Sequence, residues 1–444
     1  MPCFYSRFRG RRIFIYLFAF GFSIGLWLNA LAARSEAGQA LSYSPVEISQ
    51  TASATDVGQI VTAGVNAYGT GLYVDAIAHW RTAYEIYEAT QDTSALATVS
   101  ENLARAYQQV GDLSQELRYW QSAIEAVRQF MNLPNTDSTK LGRLLIEQAQ
   151  AYSRLGQHRR AIAILCNSSA ECIEGSGLQL AEAADDTAAQ VAALGGLGEA
   201  YRATGELDIA QSYLEQGLEL SQTQGNLSVR AVVFNSLGDT FAERAEVGNR
   251  RAAEAAERGA REATALQAQA NEDNTQAIAY FQQSYEIAKK QEDSTAEMRS
   301  LLRLVSATSR FSDAQISQTV RNNEYQSYRT LAIGLLNQLS DTQTKAFAAL
   351  KLADLASPDT KDLYGPPRDQ LSPMAAAEVT NLLNQALAIG ESIENAQVIS
   401  FAYGALGRLD AQAGRYREAI SHTQKARLAA EQTSIGLHGG LFVV

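Results

Sequence analysis

The stretch that decides the fold is LGEAYRATG at residues 197–205, which is followed by Ala210 and Leu214. The first glycine is small enough to let a second helix approach closely, and the tyrosine follows one helical turn later. The closing glycine predicts the end of the first helix, because glycine adopts the left-handed conformation that side chains with a Cβ resist. The stretch therefore predicts two antiparallel helices joined by a short turn.

The same pattern recurs along most of the chain, with a small residue, an aromatic residue, a turn glycine and then alanine and a large residue. We expect the alanine of the second helix to contact the small residue of the first. One helix pair cannot bury its own apolar faces, so the pairs must stack on one another. The residues that define the repeats are Gly64, Gly71, Trp80, Tyr107, Gly111, Tyr152, Gly156, Gly198, Tyr201, Gly205, Gly238, Gly407 and Gly414.

This pattern resembles the tetratricopeptide repeat. The resemblance implies an all-α fold, a right-handed superhelix of antiparallel helix pairs, which we expect over residues 56–432. The turn glycines Gly71, Gly111, Gly156 and Gly205 are 40, 45 and 49 residues apart. The standard repeat has about 34 residues. The sequence therefore predicts units with longer helices or longer loops than usual.

Three later regions depart from the pattern. The fifth unit begins at Leu237, but its second helix comes late, so residues at about 242–273 form an insert rich in Ala, Glu and Arg. The insert is either a partner-binding arm or a solvated lengthening of the first helix, and its charge pattern favours the second. Helix-forming composition predicts a sixth pair at 297–339 and a seventh at 343–390, the latter interrupted at Tyr364-Gly365-Pro366-Pro367.

The N-terminus is typical of an export signal. Residues 1–32 carry Arg7, Arg9, Arg11 and Arg12, then an apolar run, then small residues that predict cleavage after Ala32. The twin-arginine route is a second interpretation. An uncleaved anchor over residues 13–33 is the alternative to cleavage, because the apolar run is long enough to span a bilayer. Either way we expect an exported protein, with a linker at 33–55 and a disordered or aberrant tail at 433–444.

Charge and composition argue against several kinds of function. The net charge is −11, and without the leader 33 basic residues face 48 acidic ones, which gives −15. No net basic field remains to attract phosphates, so the sequence predicts no nucleic-acid partner. The four histidines are scattered, and we find no phosphate-binding loop, nucleophile elbow or metal motif. We therefore predict no enzymatic activity, no cofactor and no metal, and a membrane contact only through the N-terminal segment if that segment is uncleaved.

Two sets of residues are candidates for function. Cys166 and Cys172 follow the second helix of the third unit, and in an oxidising compartment their spacing permits a disulfide; two separate thiols are the alternative. Tetratricopeptide solenoids bind proteins or peptides along the first helices of their units, so the resemblance implies a ligand-binding groove. The groove positions are Glu101, Arg105, Arg143, Arg154, Glu199, Arg202, Asp239 and Arg408.

The order of features also resembles the N-terminal half of exported cyanobacterial proteins with a CHAT domain, which is a caspase-like protease. The stretches that carry this resemblance lie within residues 156–173, at 197–205, at 237–241 with the insert that follows, and at 401–432. The caspase-like part itself is not in this sequence. Three functions stay open: an exported interaction scaffold, the truncated regulatory half of such a protease, and an accessory protein of surface adhesion or secretion.

Overall fold

A computed structural model describes six stretches of the chain, which are residues 55–130, 138–166, 172–224, 227–309, 318–355 and 373–438. The expected export signal at 1–32, nearly all of the expected linker at 33–55 and the interruption at 364–367 lie outside these stretches. Within them no helix is both long enough and apolar enough to cross a membrane.

All regular secondary structure in the described stretches is α-helical, in agreement with the predicted all-α class. The helices are α1 (Thr55–Gly69), α2 (Tyr73–Thr90), α3 (Thr93–Val110), α4 (Leu113–Phe130), α5 (Thr139–Arg154), α6 (His158–Leu165), α7 (Gly177–Ala183), α8 (Thr187–Ala203), α9 (Leu207–Gln224), α10 (Leu227–Glu257), α11 (Ala263–Lys290), α12 (Ser294–Thr308), α13 (Gln318–Gln338), α14 (Gln343–Leu355), α15 (Pro373–Ser392), α16 (Ala396–Gln412) and α17 (Tyr416–His438).

These helices form eight units, each with a first (A) and a second (B) helix, and successive units pack on one another in chain order. The A helices are α1, α3, α5, α8, α10, α12, α14 and α16, and α7 is an additional short helix of unit three. The helices α2, α3 and α4 have 18 residues each. This length explains the period of 40 residues between the first two turn glycines, as the sequence predicted.

Glycine ends the A helix in five of the units, as expected. Gly71, Gly111, Gly156, Gly205 and Gly414 all have φ between +74° and +85°. The turn closes with backbone hydrogen bonds of the helix C-cap type; the amide of residue 206, for example, donates to the carbonyl of residue 201 at 2.9 Å.

The contact between the two helices of a unit differs from our expectation. In units one, four and five the small residue of the A helix lies closest to the large residue of the B helix, whereas in unit eight it lies close to the alanine as well. A Cβ on Gly64 would lie within 2.8 Å of Trp80, and a Cβ on Gly198 within 2.6 Å of Leu214. The physical reason is volume: a missing side chain leaves room for a whole indole or isobutyl group, whereas alanine would leave a cavity.

A second recurrent turn, between one unit and the next, was not predicted. A non-glycine residue with φ between +52° and +56° ends the preceding helix, and Asp or Asn follows it as the N-cap of the next A helix. The four cap residues accept a hydrogen bond from the backbone N–H three residues later, which satisfies a donor that the helix itself leaves unpaired. They are Asp92, Asp186, Asp293 and Asn395.

The fifth unit contains the predicted insert, but both of its helices are lengthened. Helix α10 has 31 residues and α11 has 28, and they pack on each other along their whole length. The expectation that only the A helix is longer is therefore wrong. The reason is pairing: an extension of one helix alone would expose its apolar face, whereas two extensions cover each other.

The later units lie close to their predicted positions. The predicted sixth pair at 297–339 corresponds to α12 and α13, and the predicted seventh pair at 343–390 corresponds to α14 and α15. At the C-terminal end α17 extends to His438, so the expected end of regular structure at Gln432 falls inside a helix. Residues 439–444 of the expected tail lie outside the described stretches.

Candidate functional site

The A helices of units two to six are joined by ion pairs, which we call the ion-pair ladder. Its first step joins α3 to α5. Arg105 on α3 contacts Glu101 on its own helix at 3.2 Å and Glu147 on α5 at 3.3 Å. Lys140 at the start of α5 lies 3.8 Å from Glu101. Burial alone would lower the pKa of Arg105, but the two carboxylates outweigh it and raise that pKa.

The second step joins α5 to α8. Arg143 Nε donates to Asp186 Oδ2 at 2.6 Å. The other oxygen of the same carboxylate accepts the backbone N–H of Ala189 at 3.2 Å, because Asp186 is the N-cap of α8. One aspartate therefore both starts a helix and fastens it to the preceding unit.

The third step joins α8 to α10. Arg202 is buried and contacts Glu199 on its own helix at 2.5 Å and Glu243 on α10 at 2.9 Å. Burial opposes the charge on the guanidinium, but these carboxylates and Asp239 reverse the effect and raise the pKa of Arg202. The arginine therefore stays charged in the core, where it binds the two units together.

The fourth step joins α10 to α12. Arg303 Nε donates to both carboxylate oxygens of Asp239, at 3.0 Å and 3.1 Å, and both side chains are largely buried. The four steps thus link five successive A helices. Each uses at least one residue that the sequence placed in the groove.

Two predicted groove residues lie outside the ladder. Arg154, near the end of α5, is buried and pairs with Glu116 of the B helix α4, which also accepts a hydrogen bond from Trp120 at 3.2 Å. Burial raises the pKa of Glu116, and the positive charge of Arg154 works against this shift. Arg408 on α16 is exposed. Seven of the eight predicted residues are therefore engaged within the chain, and their contact with a ligand stays a prediction.

The accessible charges of the ladder are sorted by sign. Lys140 and Arg143, both on α5, have side chains 33% and 40% exposed, while Glu199 on α8 and Glu243 on α10 are 34% and 40% exposed. Their partners Glu101, Asp186 and Arg202 are at most 9% exposed. Solvent therefore meets basic groups at unit three and acidic groups at units four and five.

The structure joins Cys166 and Cys172 by a disulfide, with their Cα atoms 4.3 Å apart. Cys166 is the C-cap of α6, which is only 8 residues long, and the bond closes the chain directly after this short helix. The sulfur of Cys166 is buried and lies 3.7 Å from the hydroxyl of Tyr213 in the next unit. The bond therefore occupies the place where a longer B helix would continue.

Sequence reasoning placed six of the eleven ladder residues in the groove and missed the other five. Lys140, Glu147, Asp186, Glu243 and Arg303 were not singled out, because pairing across units depends on which turns of two helices face each other. Asp186 did have a signal, since Asp-Thr before an apolar helix also occurs at residues 92–93 and is typical of an N-cap. In the described stretches, no three His, Cys, Asp or Glu residues are grouped as a metal site requires.

Comparison with known proteins gives one sequence match. The tetratricopeptide repeat family matches residues 191–224, which span most of α8 and all of α9 and include the stretch LGEAYRATG. No curated protein sequence matches the chain.

Several solved structures have a similar arrangement of helices at low sequence identity. The apo form of RapI is 11% identical, with a TM-score of 0.46 over 85% of this chain and 99% of its own. A signal transduction ATPase with a tetratricopeptide repeat sensor from Pyrococcus horikoshii is 14% identical, with a TM-score of 0.42 over 86% of this chain and 53% of its own. BtubC from P. vanneervenii is 14% identical, with a TM-score of 0.38 over 73% of this chain and 98% of its own.

Four features of the chain itself define its fold. These are the paired helices, the left-handed turn glycines, the close contacts at Gly64, Gly198 and Gly238, and the family match in unit four. Together they describe a solenoid of the tetratricopeptide type, a fold that typically supports protein interaction rather than catalysis.

Proposed function

We propose that this chain is a non-enzymatic interaction scaffold that binds an extended peptide segment of a partner protein along the ion-pair ladder. The observation that carries the proposal is the sorting of accessible charges by sign. A peptide lying along the A helices would meet the cations Lys140 and Arg143 first and the carboxylates Glu199 and Glu243 next. The fitting ligand is a segment with acidic residues at one end and basic residues at the other.

The buried partners of these charges support the same proposal. Because Asp186 and Arg202 hold the accessible side chains in fixed positions, little rotamer entropy is left to lose when a ligand binds. The accessible carboxylates of Glu199 and Glu243 also keep acceptor capacity beyond their pair with Arg202.

Two labelled peptides of equal composition test the proposal. One has its acidic residues before its basic residues, and the other has the reverse order. The sorted charges give the ion-pair ladder a direction, so we expect fluorescence anisotropy to show a difference of about tenfold in Kd, which is ~1.4 kcal/mol. Added salt should reduce the difference, since it screens partly exposed charges.

Substitutions locate the binding surface. Arg143→Gln and Glu199→Gln should each weaken the preferred peptide. Arg118→Gln and Glu215→Gln are matched controls, since both residues are exposed on the B helices α4 and α9. Equal binding of both peptides, or equal loss in the controls, would contradict the proposal.

We also propose that the protein works outside the cytoplasm. The leader at 1–32 and the disulfide between Cys166 and Cys172 support this location, because disulfides persist in oxidising compartments. The mass of the intact protein recovered from a cell envelope fraction tests the proposal. A cut after Ala32 or an intact leader in the membrane would agree with it, whereas full-length protein in the cytoplasm would not.

The role as the regulatory half of a caspase-like protease is a second candidate. The features that favour it are the cysteine-containing loop after α6 and the insert in unit five, which the CHAT resemblance shares. It is tested by reading the DNA downstream for a frame that encodes a His/Cys protease domain. Unrelated sequence there would remove its support.

A further inference from the structure

The outward faces of the first and last helices of the described stretches differ in polarity. On α1 the exposed side chains are Gln59, Thr62 and Asn66. The equivalent positions of α3, forty residues later, include Val99 and Ala106, which are fully buried because unit one covers them. The first helix therefore has polar groups where an internal helix is apolar, as a solvent-facing end of a solenoid requires.

The last helix, α17, has the opposite character. Tyr416, Ile420 and Leu428 are 69%, 61% and 54% exposed. They lie four and eight residues apart, which places them along one face of the helix. The opposite face is occupied by Ala419 and Ala429, which are buried against the rest of unit eight. The exposed face of α17 thus has a row of large apolar side chains and no cover within the described stretches.

Two positions on this face distinguish it from the other B helices. Ile420 follows the alanine of the repeat, and its equivalents Ile77, Ile162 and Ile278 are only 8–9% exposed because the next unit covers them. At the position of Leu428 four of the other B helices have an exposed glutamate, namely Glu85, Glu125, Glu219 and Glu286.

Leu428 distinguishes between two ways in which another helix could cover the exposed face of α17. One more solenoid helix packed on α17 would bury Ile420, but it would leave Leu428 in the place where glutamates face water. A helix that covers both residues must therefore lie along α17 itself. An antiparallel helix on this face satisfies that requirement.

A second copy of α17 has the required chemistry. When two α17 helices pair antiparallel around a two-fold axis at Gln424, Ile420 of one lies opposite Leu428 of the other. The same register places Arg417 opposite Glu431, and the symmetry makes each contact twice. Arg417 and Glu431 are both exposed, and Glu431 lies 3.2 Å from Arg427 on its own helix.

We propose that the exposed face of α17 is a self-association surface through which two copies of this chain pair antiparallel about Gln424. Like charges are not brought together in this register, because Arg427 faces Ser421 and Glu418 faces Ala430. The polar face of α1 does not offer the same apolar contact. The two-fold pair is therefore favoured over a head-to-tail chain of molecules.

A cross-link across the two-fold axis tests the proposal in the full chain. In a mixture of 15N-labelled and unlabelled Gln424→Cys protein, mild oxidation should give a disulfide-linked peptide pair that contains one labelled and one unlabelled half. Gln216→Cys, an exposed site on α9, is the matched control and should not give such a pair. Absence of the 424–424 pair, or equal yield from the control, would overturn the proposal.

Surface variants distinguish this pairing from nonspecific association. Ile420→Asp should at least halve the yield of the 424–424 pair, while Leu331→Asp, the matched change at another exposed apolar residue, should leave it unchanged. Arg417→Glu should lower the yield, and the double exchange Arg417→Glu with Glu431→Arg should restore it. Failure of this restoration would overturn the proposed register, and the helical signal in circular dichroism checks that each variant is folded.

Discussion

Units three and five both depart from the regular helix pair, in opposite directions. In unit three the B helix α6 stops after 8 residues, and the space is filled by a disulfide and the short helix α7, whose Leu180 packs against Gly142. In unit five both helices are lengthened instead, and beyond Phe241 the buried residues between them are mainly alanine. A shortened helix must therefore be replaced by other contacts, whereas two lengthened helices need only the contact between them.

The contact between α10 and α11 is uneven along its length. It has a base around Gly238 and Phe281 and an extension beyond Phe241. At the base Phe281 fills the space beside Gly238, and Phe241 and Tyr285 join the same core. In the extension the atom nearest to a Cβ on Gly248 would be the small Ala270 Cβ, at 2.9 Å. The base therefore buries much more apolar surface per turn than the extension, and stability should be lost mainly there.

The largest effect on stability should come from removing a buried side chain at the base of unit five. Phe281→Ala removes a side chain that is 2% exposed, and we expect it to lower the free energy of unfolding by about 3–5 kcal/mol. Urea unfolding followed by circular dichroism measures this loss. A loss below about 1 kcal/mol would contradict the expectation that the base of unit five contributes more stability than its extension.

Overfilling the same place should have a smaller effect. Gly238→Ala puts a methyl group within 2.5 Å of Phe281 Cδ1, and we expect a loss of about 3 kcal/mol from overpacking. Gly248→Ala is the matched control in the extension, where a gain of about 1 kcal/mol in helix propensity should offset the contact with Ala270. Equal losses of unfolding free energy in the two variants would contradict the difference in packing between the base and the extension.

Removal of the disulfide tests unit three. Cys166→Ala with Cys172→Ala opens a loop with a sequence separation of 6, and we expect a loss of about 2 kcal/mol under oxidising conditions. Cys3→Ala serves as the control. A reducing agent should lower the stability of the parent protein and of the control but not of the double variant. If reduction changes none of them, the two cysteines are separate thiols in solution.

The smallest effects should come from the ion pairs that fasten units three and five to unit four. Asp186→Asn keeps the helix cap and removes the charge that pairs with Arg143, and Glu243→Gln removes a partner of Arg202. One member of each pair is 40% exposed, so we expect about 0.5 kcal/mol for each variant, with less at high salt. A loss above about 2 kcal/mol would mean that these pairs hold the units together more than packing does.

Sequence reasoning located the units well where one residue carries the information. The turn glycines fix the ends of the A helices by their own conformation, so local sequence is enough. The partners of the ladder could not be located in this way, because Arg303 reaches Asp239 across 64 positions of the chain. The same limit explains why we expected alanine, and not Trp80 or Leu214, to face the small residue of the A helix.

By itself the sequence determined the helical class, the order of the units, the glycine turns and the place of the insert, because each follows from local propensity and repeat spacing. Only the tertiary structure decided which side of each helix meets a neighbour. It thereby decided that seven predicted groove residues are engaged within the chain, that both helices of unit five are lengthened, and that Ile420 and Leu428 are exposed on one face of α17. The physical reason is that contact between units depends on the rotation of whole helices about their axes, which no short stretch of sequence specifies.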